Sequence, residues 1–420
     1  MKQGYGHMRC GLLGEHLGHS FSPIIHKEIA DYSYDLVELA PDEVGPFVLG
    51  DSLDAYNVTI PYKKAVMPYL DVISPEAVAI GAVNTVVRGK DGKRYGYNTD
   101  YFGFDYMIRS VGMTVEGKKA LVFGTGGASA TVCAVLRDRG ARELVVIGRK
   151  DNIPEILATH ADTEIVVNTT PVGMYPENGK APVDLARFPQ CEGVLDVIYN
   201  PAKTALLLDA EARGIPFANG LSMLVAQAVK AFEYFTGDVA EDSLTDAAVQ
   251  AIARATHNVI LVGMPGCGKS TVGKALADLL GRPFYDADDE FLTMHGRTPA
   301  EVISSEGEEQ FRAMEHAVLC ELGKKSGTVI ATGGGAVTRE YNYASLHQNG
   351  IILFLDRDVD KLPTAGRPLS QAKTPAQLYA ERIDAYHRFA DYELKSTENP
   401  ALTASRMLEC IQNHRYGGIS

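Results

Sequence analysis

Asn258-Val-Ile-Leu-Val-Gly-Met-Pro-Gly-Cys-Gly-Lys-Ser-Thr271 is a short apolar run that breaks into a glycine-rich turn. The run predicts a buried strand, and the residues from Lys269 onward predict a helix. Between them, Gly263 to Thr271 fit the spacing G-x-x-x-x-G-K-[ST]. Small residues such as Gly266 and Gly268 let successive backbone N–H groups converge on phosphate oxygens, and the helix N-terminus adds a favourable dipole. Lys269 supplies a charge for the β- and γ-phosphates, and the hydroxyl of Ser270 suits a Mg²⁺ ion, with Thr271 completing the loop. A strand, this loop and a helix in that order predict an α/β nucleotide-binding unit that uses ATP and Mg²⁺.

Downstream, Phe284-Tyr-Asp-Ala-Asp288 is expected to end a strand with Asp286 and Asp288 on one side of it. One of the two can hold Mg²⁺ through water, and the other can accept a hydrogen bond from a substrate hydroxyl. Buried strands are expected again at Thr328–Thr332 and Ile351–Leu355, with helices between them and a helical tail from Thr374. Upstream, strand and helix also alternate. Lys119–Gly124, Glu143–Gly148, Glu164–Thr170, Gly193–Tyr199 and Pro216–Gly220 read as strands of a parallel, doubly wound sheet. Before them, Met8–Gly14, Tyr34–Ala40, Ala55–Ile60 and Ala82–Gly89 read as strands of a smaller α/β unit, with helices at Ser22–Tyr32 and Lys63–Leu70.

Length and composition agree with several compact units. At 420 residues, 45% hydrophobic and 22% charged, the chain fits about three globular domains. A net charge of -13 argues against a nucleic-acid-binding or anionic-membrane surface, which would favour a basic patch. The six cysteines are scattered, without a CxxC pair or a His/Cys metal spacing, and read as small core residues in a reducing compartment. The N-terminus has no charged-then-apolar signal pattern and no apolar run approaches a membrane span, so a cytoplasmic protein is expected. The sequence assigns no oligomeric state.

The second unit carries a variant of the dinucleotide fingerprint, Gly124-Thr-Gly-Gly-Ala-Ser129. Gly124, Gly126, Gly127 and Ala128 would give the tight turn and close approach that a pyrophosphate needs. At the end of the next strand, where a free ribose hydroxyl would favour an acidic residue, stand Arg149 and Lys150. Two cations there suit a 2′-phosphate, so NADP is expected rather than NAD.

Two resemblances follow from motifs in order. Over residues 257–415, the phosphate loop, Asp286 and Asp288, Gly307-Glu-Glu-Gln-Phe-Arg-Ala-Met-Glu315, Gly333-Gly-Gly335, Gly366-Arg-Pro-Leu369, and Arg382 with Tyr386 resemble shikimate kinase. That resemblance implies that Asp288 binds the shikimate hydroxyls and helps activate the acceptor, while Asp286 serves the metal. Arg312 and Arg382 would grip the carboxylate, Gly334 and Gly335 would offer backbone N–H groups, and Arg367 would meet the transferring phosphoryl group from a lid.

Over residues 8–237, Gly18-His-Ser-Phe-Ser-Pro23, Asn57-Val-Thr-Ile-Pro-Tyr-Lys63, Ala82-Val-Asn-Thr85, Gly96-Tyr-Asn-Thr-Asp100, Asn168-Thr-Thr-Pro171, Asp196-Val-Ile-Tyr-Asn-Pro201, and Asn219-Gly with Gln227 resemble shikimate dehydrogenase. The resemblance implies that Ser20, Ser22, Thr59, Asn84, Tyr199 and Gln227 line a shikimate pocket and that Lys63 and Asp100 form a catalytic pair. Only about twenty residues separate Arg149 from Asn168, less than that family usually has, so a shortened cofactor sheet of five strands is expected. Gly148 also replaces a small polar residue.

The expected architecture is therefore α/β throughout. A small substrate-binding domain at 8–103 is followed by a shortened Rossmann-like NADP domain at 104–240. A linker at 241–256, polar at first and then helical, leads to a P-loop kinase domain with a parallel sheet at 257–415. The resemblances imply reduction of 3-dehydroshikimate to shikimate with NADPH, then phosphorylation of shikimate by MgATP. Two alternatives stay open: an active kinase carrying a non-catalytic sensing module, and action on quinate or a related cyclic acid.

Overall fold

The computed structural model describes residues 2–18, 20–151, 153–362 and 374–416. Three sheets organise them. The first has six strands, β1 (Arg9–Gly14), β2 (Ser33–Glu38), β3 (Ala55–Val58), β4 (Val72–Ile73), β5 (Thr85–Arg88) and β6 (Arg94–Tyr97), in the order β2-β1-β3-β5-β6-β4. Strand β1 runs parallel to β2 and β3, and β5 turns antiparallel to β3 and β6. This reversal brings the C-terminal ends of β1, β3 and β6 and the N-terminal end of β5 to one edge. The loops that leave this edge carry Ser20, Thr59, Lys63, Asn84 and Asp100.

The second sheet is all parallel. Strands β7 (Lys119–Phe123), β8 (Glu143–Ile147), β9 (Ile165–Asn168), β10 (Gly193–Asp196) and β11 (Phe217–Asn219) lie in the order β11-β10-β9-β7-β8. Its centre is buried on both faces, as parallel sheets require. Phe104, Met107, Val132 and Leu136 cover one side, and Leu157, Leu206 and Leu207 cover the other. The short stretch between Arg149 and Asn168 holds one helix, Ile153–Thr159, and the sheet has the five strands expected from that spacing.

The third sheet is also parallel, with β12 (Asn258–Val262), β13 (Phe284–Asp286), β14 (Val329–Ala331), β15 (Gly350–Asp356) and β16 (Tyr392–Lys395) in the order β13-β14-β12-β15-β16. All five residues of β12 are buried, and the phosphate loop leaves its C-terminal end for the helix Lys269–Leu280. No helix among the described residues is long and apolar enough to cross a membrane.

Three local expectations need correction. Lys63–Leu70 does not form an α-helix; it is a series of turns ending in a 3₁₀ turn at Met67–Tyr69. Pro68 lacks the N–H that a continuing α-helix would need there. Asp288 does not share a strand with Asp286. The strand stops at Asp286, whose carboxylate accepts the Asp288 N–H at 3.0 Å and starts the helix Ala287–His295.

The third correction concerns residues 241–256. They form the helix Asp242–Thr256, with Ala248, Ile252 and Ala253 buried. This helix packs against the helices Ser22–Ile29 and Gly220–Thr236. One apolar cluster runs from Ile25 and Phe232 through Ile252 to Ile260, so the expected linker is part of a shared core. Polar contacts join the halves as well. The Tyr175 hydroxyl donates to Gly323 O at 2.9 Å, and Asn178 Nδ2 donates to Gln348 Oε1 at 2.8 Å. Lys203 Nζ lies 2.6 Å from Glu211 Oε1 and 2.7 Å from His347 Nε2.

Candidate functional site

Two constellations of polar residues stand apart in the chain. The first surrounds the phosphate loop. Gly268 has φ +108° directly before Lys269, a conformation that favours glycine. Lys269 opens the following helix, and its ammonium folds back over the loop to donate to Gly263 O at 2.9 Å and Met264 O at 3.0 Å. Ser270 Oγ donates to Asp286 Oδ2 at 2.5 Å. Two hard oxygen donors thus meet beside the loop, a set that fits Mg²⁺.

A cleft of about 550 Å³ opens here, lined by Gly266, Gly268, Lys269, Ser270, Thr271, Asp286, Asp288, Arg312, Gly334, Gly335 and Arg382. Arg312, on the helix Glu308–Gly323, is 2% exposed and pairs with Glu315 at 2.7 Å and Glu308 at 3.1 Å. Burial opposes its charge, but the two carboxylates outweigh burial and hold the guanidinium above its ordinary value. These bonds use three of its five N–H groups, through Nε, Nη1 and Nη2, and leave one on each terminal nitrogen.

The Gly333–Gly335 turn is held from the other side. Gly334 O accepts from Arg382 Nη1 at 3.1 Å and from the Tyr386 hydroxyl at 2.5 Å. A Cβ at Gly335 would stand 2.2 Å from Arg312 Nη2, so the guanidinium and the turn are fitted to each other. Glu308, Glu315 and Tyr386 are the supporting groups that motif reading left without roles; the i, i+3 and i, i+4 spacing of the acids around Arg312 was the available signal. Arg367 lies outside the described residues.

The second constellation lies at the shared edge of the first sheet. Lys63 Nζ is 2.6 Å from Asp100 Oδ2, with both side chains about a quarter exposed or less. Lys63 O accepts the Val83 N–H at 2.8 Å, which ties its loop to the approach to β5. Asp100 begins the helix Asp100–Ser110, and its N–H donates to Asn98 Oδ1 at 3.1 Å. Beside it, Asn84 Oδ1 is surrounded by donors: Thr99 N at 2.8 Å, Thr99 Oγ1 at 3.2 Å and Thr85 Oγ1 at 3.1 Å. The crowded oxygen fixes the amide, leaving Nδ2 as the group offered to a ligand. Thr99 Oγ1 also lies 3.2 Å from Gln227 Oε1, 128 positions further along the chain, so the one hydroxyl proton of this threonine stands between the amide oxygens of Asn84 and Gln227.

Thr99 had no assigned role in the sequence reading, nor had Asn57. Asn57 Nδ2 donates to Thr85 Oγ1 at 3.1 Å, and its Oδ1 accepts from the Tyr34 hydroxyl at 2.8 Å. Ser20 Oγ accepts the Ser22 N–H at 3.2 Å, and Phe21 between them packs on the ring of Tyr199 at 5.2 Å. Thr59 is held at the end of β1 by its N–H to Leu13 O at 2.9 Å. Asn168 and Asp196 are structural. The buried Asp196 accepts from Asn168 Nδ2, Ile198 N and Thr204 Oγ1 at 3.0, 3.1 and 2.7 Å, and burial pushes its carboxyl up to about 6.

The glycine-rich turn after β7 has room for a phosphate. Gly124 has φ +112°, and a Cβ there would be 2.3 Å from Thr169 Oγ1. A Cβ at Gly126 or Gly127 would meet nothing within 4 Å, and Ala128 follows, exposed, in the first turn of the helix Gly127–Asp138. Arg149 and Lys150 are exposed after β8 and form no ion pair among the described residues. Asp151 Oδ2 accepts the Gly148 N–H at 2.6 Å and stabilises that turn.

The same regions match known families. Residues 12–86 match the shikimate dehydrogenase substrate binding domain, residues 220–250 the shikimate 5′-dehydrogenase C-terminal domain, and residues 265–412 shikimate kinase. A shikimate dehydrogenase (NADP(+)) of Clostridium perfringens (strain SM101 / Type A) is 40% identical over 252 residues, 54% of this chain and 92% of the relative. Among solved structures, a chorismate mutase/shikimate 5-dehydrogenase fusion protein from Clostridium acetobutylicum is 34% identical with TM-score 0.54, covering 58% of this chain and 96% of that one. The shikimate 5-dehydrogenase from Thermus thermophilus, in complex with NADP(H) and shikimate, is 30% identical with TM-score 0.52, covering 58% and 99%.

Proposed function

We propose two consecutive reactions for this chain, which belongs to the shikimate dehydrogenase family and carries a shikimate kinase domain behind it. It reduces 3-dehydroshikimate to shikimate with NADPH and then phosphorylates the 3-hydroxyl with MgATP, giving shikimate 3-phosphate. Residues 8–103 and 104–240 serve the first reaction and residues 257–415 the second, with 241–256 as the strut between them. The observation that carries the reading is the Lys63–Asp100 pair at 2.6 Å. A module that only sensed shikimate would not require an ammonium held by a carboxylate beside its pocket.

In the first reaction NADPH supplies a hydride to the ketone carbon. Lys63 then has a positioned proton for the oxygen on which negative charge develops, and Asp100 keeps the ammonium in place. The Asn84 amide and Gln227, oriented through Thr99, bind the ring substituents together with Ser20, Ser22, Thr59 and Tyr199. Gly124, Gly126, Gly127 and Ala128 face the pyrophosphate, and Arg149 and Lys150 suit the 2′-phosphate.

In the second reaction MgATP supplies the phosphoryl group. Gly266, Gly268 and Thr271 of the loop cradle the phosphates, Lys269 neutralises their charge, and Ser270 and Asp286 hold the metal. Asp288 accepts a hydrogen bond from the shikimate hydroxyl and orients it for attack. The two spare N–H groups of Arg312, with Arg382, take the carboxylate. Gly334 and Gly335 leave the substrate close to backbone, and Arg367 serves the phosphoryl group.

The reading is tested by supplying 3-dehydroshikimate, NADPH and MgATP together and following each by mass spectrometry. Shikimate 3-phosphate should accumulate with matched consumption of NADPH and ATP. Phosphorylation of added shikimate without any NADPH oxidation would instead make the first half a sensing module.

A further inference from the structure

Behind the residues that line the Lys63–Asp100 site, one hydroxyl starts a directed run of hydrogen bonds. Tyr34 lies on β2, and its hydroxyl donates to Asn57 Oδ1 at 2.8 Å. The Asn57 nitrogen faces the other way, 3.1 Å from Thr85 Oγ1 and 3.4 Å from Asn84 O. A backbone carbonyl only accepts, so this second contact fixes which amide atom is the donor. Thr85 Oγ1, having accepted from Asn57, donates its own proton to Asn84 Oδ1 at 3.1 Å. Every donor points the same way, from Tyr34 toward the amide whose Nδ2 is offered to a ligand. Asn57, Thr85 and Asn84 are buried, so a missing member leaves an unpaired polar group that water does not readily satisfy. Tyr34 is itself held by packing. The His26 ring stacks on it at 3.8 Å and 11°, and His26 Nδ1 is tied to the Tyr32 hydroxyl at 2.6 Å. The side chain of Ser22 lies against the Tyr34 hydroxyl, and burial holds that hydroxyl well above its ordinary value, so it stays protonated.

We propose that Tyr34 is a positioning residue of the dehydrogenase, whose hydroxyl sets the Asn57 amide and, through Thr85, the face that Asn84 presents to shikimate. This role rests on the dehydrogenase reading given above. Without the hydroxyl, Asn57 Oδ1 is buried with one donor fewer. Turning the amide lets that oxygen take the Thr85 proton, which is then lost to Asn84 Oδ1. Thr99 N still holds Asn84 Oδ1 at 2.8 Å, so the pocket loosens and does not collapse. The damage falls on substrate binding, and the proton held at Lys63 stays where it is, because Lys63 and Asp100 share no hydrogen bond with this run.

The test is the steady-state oxidation of shikimate by the full chain. Tyr34→Phe keeps the ring and its stack on His26 and removes only the hydroxyl. The KM for shikimate should rise by about ten-fold, as for the loss of one buried hydrogen bond. The kcat should stay within about two-fold and the KM for NADP should not change. The kinase reaction on the same preparation should keep its own KM for shikimate, which reports a folded chain. Asn57→Ala should raise the dehydrogenase KM at least as much, and adding Tyr34→Phe to it should raise KM no further, since the two act in one line. An unchanged KM in Tyr34→Phe, a fall in kcat alone, or a full further rise in the double variant overturns the proposal. Should Tyr34→Phe not fold, the KM of Asn57→Ala decides, and an unchanged value there overturns it too. The two claims separate cleanly. No oxidation by the unaltered chain defeats the dehydrogenase reading and this role with it, whereas oxidation that Tyr34→Phe leaves untouched defeats the role alone.

Discussion

Lys63 and Asp100 are 37 positions apart in sequence and 2.6 Å apart in space. The antiparallel turn of β5 and β6 brings them together, because it returns the chain to the edge from which the Lys63 loop departs. The ammonium is thereby held where a reacting oxygen can reach it.

Lys63→Ala should lower shikimate-dependent NADP reduction by about 10²–10⁴-fold, the range for a positioned acid or base. ATP-dependent phosphorylation of shikimate should be unchanged. Initial rates of both reactions on the same preparation check this.

Lys269→Ala should do the reverse. It removes the charge that lies over Gly263 and Met264, and phosphorylation should fall by about 10²–10³-fold. Dehydrogenase rates should stay at the wild-type level.

Gly335→Ala should damage the kinase through Arg312, since its Cβ would lie 2.2 Å from Nη2. The guanidinium must move from its pairing with Glu315. The KM for shikimate in the kinase reaction should rise by about ten-fold or more, with a smaller change in KM for ATP and none in the dehydrogenase.

The boundary between the halves should weaken in acid. Burial would raise the Glu211 carboxyl, but the hydrogen bond from His347 and the charge of Lys203 outweigh it and pull it down to about 2. Its folded value lies below the ordinary 4.5, so the stabilisation is complete above that value and is lost as the pH falls from there toward 2. Glu211→Gln should lower Tm at neutral pH and flatten its decline between about pH 5 and 3. Melting curves of both proteins across that range check the sign.

Much of this was legible in the chain because local grammar carried it. The phosphate loop announces itself by its glycines and by the strand before it, and the paucity of residues between Arg149 and Asn168 foretold a five-stranded sheet. Tertiary facts were harder to read. Leu244, Ala248 and Ile252 give residues 241–256 an apolar stripe at helical spacing, but only the presence of partners on both sides makes it a core strut. Pro68 outweighed the helical look of Lys63–Leu70. Asp286 was visible as a carboxylate, whereas its capping of the next helix, which removes Asp288 from the strand, depends on where the strand stops. Thr99 looked like punctuation because its two partners, Asn84 and Gln227, come from distant parts of the chain.

The most direct test is absorbance at the reduced-nicotinamide band for purified protein given shikimate and NADP without ATP. The account predicts prompt formation of NADPH, abolished in Lys63→Ala. No reduction of NADP or NAD, with ATP-dependent phosphorylation of shikimate intact, would contradict it and leave a kinase joined to a non-catalytic partner.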